Sequence, residues 1–130
     1  MIVVDASIIV EVLLRTDAGV TLAQRLFGGE ETLHAPHLLD VEVTQVLRRY
    51  AARGEVTAER ALESLRLLAV LPVARYPHEP LLQRMWALRA NLTAYDAAYV
   101  ALADGLRATF VTRDRRLASA PDLATTVELV

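Results

Sequence analysis

Four acids in this chain stand where an acid is costly to place. Asp5 closes the unbroken apolar run Ile2-Val3-Val4, and Asp114 falls just past a second such run, Ala108-Thr109-Phe110-Val111. Glu42 has Leu38, Leu39, Gln45 and Val46 as its neighbours three and four positions away, so on a helix it points along the apolar side. Asp96 is the one acid in the body of the apolar stretch Asn91 to Ala103, three residues after Thr93. Buried unpaired carboxylates are expensive, and several gathered in one place repel one another. The simplest cure is a hard divalent cation with oxygen ligands, Mg2+ or Mn2+. Such an ion lowers the pKa of an attacking water, and a pair of ions can stabilise both the entering and the leaving oxygen of an in-line phosphodiester displacement.

Convergence depends on the elements that carry these acids. Ile2 to Val4 has no polar alternation, which suits a central strand of a parallel sheet covered on both faces. Ser7 is expected to cap the following helix, Ile8 to Leu14. A second helix, Ala18 to Phe27, is expected to end in a left-handed stop at Gly28-Gly29. Thr32 to Ala35 reads as a strand, Pro36 opens a helix from about His37 to Arg53, and Thr57 caps another through Leu68. Leu71 to Ala74 is a Pro-marked edge strand. His78 to Arg89 forms a helix whose Met85 and Trp86 serve as core or dimer contacts. The stretch around Asp96 is apolar almost all round and therefore a buried helix. Thr125 to Leu129 is the last strand. Strand and helix alternate without linker or repeat, which predicts one domain over residues 1–130: a three-layer α/β/α fold with a mainly parallel sheet of about five strands. Ligands of such sheets sit beyond the carboxyl ends of the strands, where the strand order reverses. If the Ile2 and Phe110 strands are neighbours, all four acids can meet there.

Each acid also has an ordinary reading. Asp5 can be a turn residue, Glu42 half of a buried salt bridge, Asp96 the capping-box partner of Thr93, and Asp114 the cap of a short helix from Arg115 to Ser119. Glu11 can pair with Arg15, Asp40 can serve the dipole of its helix, and Asp104 is expected to be solvated.

Composition narrows the classes. A chain of 130 residues with 54% hydrophobic residues fits one domain with a real core. Cysteine is absent, which excludes disulfides, thiolate metal sites and thiol nucleophiles. All fourteen basic residues are arginine. Without lysine there is no phosphate-loop lysine and no Schiff-base chemistry. The net charge of −2 gives no overall attraction for nucleic acid, so any such partner must meet a local patch. No run approaches the length of a membrane span, and the chain enters a strand directly without a signal-like start, so a cytoplasmic protein is expected.

With these residues in view, the chain resembles a known family. Asp5-Ala6-Ser7, Glu42 after Pro36, Thr93-Ala94-Tyr95-Asp96-Ala97-Ala98-Tyr99 with Leu102-Ala103, and Thr112-Arg113-Asp114 look like the successive motifs of PIN-domain ribonucleases, above all the VapC-type toxins of toxin–antitoxin pairs. The resemblance covers essentially the whole chain. It implies a metal-dependent endoribonuclease that inhibits growth, in which Asp5, Glu42, Asp96 and Asp114 hold Mg2+ or Mn2+ at the scissile phosphate. Ser7 and Thr112 fall on the family's small polar positions and would support the acids by hydrogen bonds. It also implies a homodimer and a cognate antitoxin that covers an apolar groove and the active site.

The RNA contacts must come from local arginines. Arg113, Arg115 and Arg116 beside Asp114 are the best placed, with Arg15 a further candidate, since arginine can bridge phosphates or stack on bases. Two rivals among α/β enzymes fail on residues. A haloacid-dehalogenase phosphatase wants a second acid where Ser7 stands, a receiver domain wants an acidic pair, and both want a lysine. A housekeeping RNA-processing nuclease and a non-catalytic PIN-like binding module remain as alternatives.

Overall fold

The structure, a computed structural model, describes residues 1–130. Five short strands form one sheet: β1 (Ile2–Val4), β2 (Leu33–Pro36), β3 (Val73–Tyr76), β4 (Thr109–Thr112) and β5 (Val127–Leu129). Their spatial order is β3-β2-β1-β4-β5, and every pairing is parallel. The order therefore reverses at β1, between β2 and β4. Val3, Val4, Phe110 and Val111 are wholly buried, which is why these strands read as unbroken apolar runs.

Helices flank the sheet: α1 (Ala6–Leu14), α2 (Asp17–Phe27), α3 (Leu38–Ala52), α4 (Ala58–Val70), α5 (Leu82–Ala87), α6 (Ala94–Leu106) and the single turn α7 (Arg115–Ala118). The first four pack on one another, whereas α6 packs with α5 and lies across β1, β2 and β4. The result is the expected α/β/α arrangement. Gly19 lets α2 close onto α1, because a Cβ there would stand 1.9 Å from the Glu11 carbonyl oxygen.

Several local expectations need correction. Asp5, not Ser7, caps α1: its carboxylate accepts from the Ile8 N–H at 3.3 Å, which starts the helix two residues before Ile8. Gly28 has φ −88°, so α2 ends without a left-handed residue; that conformation falls instead at Gly54 after α3 and at Arg15 and Arg107, which close α1 and α6. The helix expected from His78 to Arg89 is split into a 3-10 turn at Glu79–Leu81 and the short α5, because Pro80 cannot donate into a continuous helix. Trp86 is 69% exposed under the Arg89 guanidinium, which lies 4.7 Å from its ring centroid, so it is no core residue. Met85 does pack against the core. Asp104 is not solvated: it accepts from Arg84 Nε at 2.6 Å and from the Thr125 hydroxyl. No helix is long and apolar enough to cross a membrane.

Candidate active site

Asp5, Glu42, Asp96 and Asp114 line one open cleft of about 440 Å³ above the carboxyl ends of β1 and β4. Four separate elements deliver them. Asp5 is fixed by the turn from β1 into α1, and Asp114 by the turn from β4 into α7, which it caps by accepting from the Arg116 N–H. Glu42 sits early in α3 and Asp96 in the first turn of α6, so these two reach the cleft from opposite helical layers. The β1–β4 pairing on which convergence depends is present, with Val4 opposite Val111.

Asp5 is the most completely held. Its Oδ1 accepts from the Ser7 hydroxyl at 2.5 Å, and its Oδ2 accepts from the Thr112 hydroxyl at 2.5 Å. Each hydroxyl in turn accepts a backbone N–H from the loop after β4: Arg113 N donates to Ser7 Oγ and Asp114 N to Thr112 Oγ1, both at 3.0 Å. With their lone pairs so engaged, both hydroxyl protons point at Asp5, and the carboxylate plane is locked to the loop that carries Asp114.

Electrostatics divide the four acids. Burial pushes the Asp5 carboxyl above its ordinary range, against the opposing pull of its hydrogen bonds to Ser7 and Thr112. Burial also raises Glu42, with Asp5 and Asp96 adding to the shift, and raises Asp96, with Asp114 adding. Asp114 moves the other way, because the Arg116 side chain donates to it; Nη2 lies 2.8 Å from Oδ2. The salt bridge considered for Glu42 is absent. Its partner is the Tyr99 hydroxyl, which donates to Oε1 at 2.6 Å and is itself held protonated by burial and by the Glu42 charge. The capping box considered for Asp96 is half present, with Thr93 Oγ1 accepting from the Asp96 N–H at 3.2 Å.

The arginines sort by position. Arg113 and Arg116 line the cleft, whereas Arg15 and Arg115 do not. Arg15 closes α1, and nine residues of helix carry it about 13 Å from the carboxyl edge, where it borders a separate groove with Arg60 and Glu63. Glu11 does not pair with Arg15; it faces the cleft, accepts from Thr16 and stands 3.8 Å from Arg113 Nε. Arg49 and Tyr99, also in the cleft, were given no role in the sequence reading. Arg49 lies seven residues after Glu42 on the same face of α3, and Tyr99 lies three after Asp96 on the same face of α6. Helical spacing from the acids was the signal that could have found both.

The donor set contains oxygen ligands only, with no histidine, cysteine or lysine, which suits Mg2+ or Mn2+ better than a softer ion. No group of three or more acidic or histidine side chains is gathered closely enough to hold a metal ion as it stands. An acid-lined cleft over the switch point puts the chain among α/β proteins whose ligand site lies at the carboxyl edge of a parallel sheet.

Comparison with known proteins narrows that class. The PIN domain profile matches residues 2–123. Ribonuclease VapC12 of Mycobacterium tuberculosis is 43% identical over 130 residues, covering 100% of this chain and 99% of the relative. Ribonuclease VapC9 of the same organism is 48% identical over 120 residues, covering 90% and 88%. VapBC2 from Rickettsia felis, solved bound to a DNA fragment from its promoter, superposes with a TM-score of 0.73 over 99% of this chain and 98% of that one; at 14% identity the likeness is one of fold. The chain belongs to the PIN-domain family, among its VapC ribonucleases.

Proposed function

We propose that this protein is a metal-dependent endoribonuclease that acts as the toxin of a toxin–antitoxin pair, with one PIN domain over residues 1–130 carrying the whole reaction. The observation that carries the reading is the meeting of Asp5, Glu42, Asp96 and Asp114, from four elements, in one cleft, with Asp114 alone of the four in a salt bridge. Membership among the VapC ribonucleases supports the substrate class and the antitoxin partner. The homodimer rests on the family resemblance alone.

In this reading Asp5, Glu42, Asp96 and Asp114 hold Mg2+ or Mn2+, and Ser7 and Thr112 keep Asp5 in register with the Asp114 loop. The bound ion would lower the pKa of an attacking water and stabilise charge on the phosphate oxygens. Asp114 has to leave Arg116 to join the set, which frees the Arg116 guanidinium for a phosphate of the substrate. Arg113 and Arg49 are the other cleft cations for RNA; Arg49 makes no side-chain hydrogen bond or ion pair and is the readiest to take a phosphate. Arg115 and Arg15, outside the cleft, would meet RNA only away from the scissile phosphate.

The test is to induce the chain in a bacterial host beside Asp5→Asn, follow growth, and map new RNA 5′ ends. Growth arrest with discrete new ends in the wild type alone is the expected result. Wild-type ends that persist in Asp5→Asn would remove Asp5 from the reaction.

A further inference from the structure

Glu42 differs from the other cleft acids in how it is held. Asp5 has both oxygens engaged, and Asp114 is tied to the Arg116 guanidinium and backbone. Glu42 has a longer side chain with one more torsion, and a single hydrogen bond, from the Tyr99 hydroxyl to Oε1 at 2.6 Å. Its Oε2 accepts no hydrogen bond from the protein. Left alone, such a side chain would spread over several rotamers and lose that freedom only on binding.

Tyr99 is built to prevent this. Its side chain is 2% exposed, and its ring stacks on Phe110 of β4 with the planes 2° apart and the centroids 5.8 Å apart. The ring cannot swing without disturbing the core between α6 and the sheet. Its hydroxyl reaches over the carboxyl edge to an acid carried by the opposite helical layer, so one hydrogen bond joins the α3 wall of the cleft to the α6 wall. Tyr99 also shares its face of α6 with Asp96, which sets the spacing between the two acids.

We propose that Tyr99 is a positioning residue for the nuclease: by fixing one oxygen of Glu42 it leaves the other aimed at the cleft, and so sets how tightly a divalent cation is held. The inference rests on the reading of Glu42 as a metal ligand. A partner that orients a metal-binding carboxylate is worth on the order of 10- to 100-fold in metal affinity or activity.

The experiment measures Mn2+ binding by the loss of the free-ion electron paramagnetic signal, in wild type, Tyr99→Phe, Glu42→Gln and the double variant, with RNA cleavage followed in parallel. Tyr99→Phe keeps the ring and its stack on Phe110 and removes only the hydroxyl. It should bind Mn2+ on the order of 10- to 100-fold more weakly, leave KM for RNA unchanged at saturating Mn2+, and cause no further loss in the Glu42→Gln background. Replacing Tyr99 by 4-aminophenylalanine, which puts a donor back at the same place on the ring, should return Mn2+ affinity to near the wild-type value and covers the case in which Tyr99→Phe fails to fold. Wild-type Mn2+ affinity in a folded Tyr99→Phe, or an equal further loss in the Glu42→Gln background, would overturn the inference and leave Tyr99 a packing residue. A wild type that cleaves RNA without binding Mn2+ would instead overturn the metal reading beneath it.

Discussion

Two cavities at opposite edges of the same sheet use acids in opposite ways. At the amino edge, the end of α6 and the starts of β4 and β5 enclose about 670 Å³ lined by Arg84, Asp104, Arg107, Thr109, Thr125 and Thr126. The carboxyl-edge cleft is smaller, at about 440 Å³. Size favours the first, but its acid is satisfied: Asp104 accepts from both Arg84 and Thr125 and needs nothing more. In the cleft Asp5, Glu42 and Asp96 form no salt bridge, and burial holds all three above the ordinary carboxylate range, for Asp96 against the opposing pull of the Arg116 charge. A paired acid ties elements together, whereas desolvated acids without a salt bridge have a use for a cation. The difference in pairing, more than volume, separates a structural pocket from a site.

The largest expected effect lies in the cleft. Asp5→Asn keeps an acceptor for the Ile8 N–H, so it should fold, yet it should cut RNA more than about 100-fold more slowly, beyond what loss of a mere orienting partner costs. Steady-state cleavage with folding checked by circular dichroism reads this, and a variant within a few-fold of wild type would dissolve the contrast between the edges. Next comes ligand linkage: Mn2+ at about 100 times its dissociation constant should stabilise the wild type by about 2.7 kcal/mol. Thermal melts should show that gain in full in wild type and in Asp104→Ala but reduced in Glu42→Gln; the same gain in all three would place the ion elsewhere.

The amino edge should answer in stability alone. Asp104→Ala removes two hydrogen bonds, one of them to a cation, and should cost about 1–3 kcal/mol in denaturant unfolding with cleavage per folded molecule unchanged. Loss of activity without loss of stability would reverse the assignment.

The smallest effect comes from a buried polar cluster that belongs to neither edge. His34 is bonded through Nδ1 to the Tyr76 hydroxyl and through Nε2 to Thr32, and burial lowers its pKa below the ordinary 6.5, with the chain's amino terminus adding. The unfolded chain then binds the proton more readily. The contribution of His34 is complete above about pH 6.5 and is lost as pH falls below it. The difference in melting temperature between wild type and His34→Gln should therefore shrink on acidification; a difference that grows would contradict the sign.

What the sequence disclosed followed distance along the chain. β1, β4 and the buried body of α6 were legible because both sides of each are covered, and burial writes itself as uninterrupted apolar residues. The four acids were legible because each breaks such a pattern. Capping needed finer detail: Asp5 and Ser7 are both good caps two residues apart, and only the hydroxyl's engagement with Arg113 N and Asp5 decides between them. Long-range pairs were not legible at all. Arg84 with Asp104, Arg75 with Asp40, and Tyr99 with Glu42 join residues of different elements, and no local periodicity encodes the partner. Proximity in sequence also misled, since Arg115 and Arg116 are adjacent but only Arg116 turns to the cleft.

The most direct test of the central claim, that the carboxyl-edge acids cut RNA with a divalent cation, is 5′-end sequencing of cellular RNA and ribosomes treated with purified protein. Wild type, Asp96→Asn and Asp104→Ala would each be run with Mg2+ or Mn2+ and with a chelator. The account predicts discrete new ends with wild type and Asp104→Ala in metal, and none with Asp96→Asn or under chelation. The same ends in chelator, or from Asp96→Asn, would contradict it.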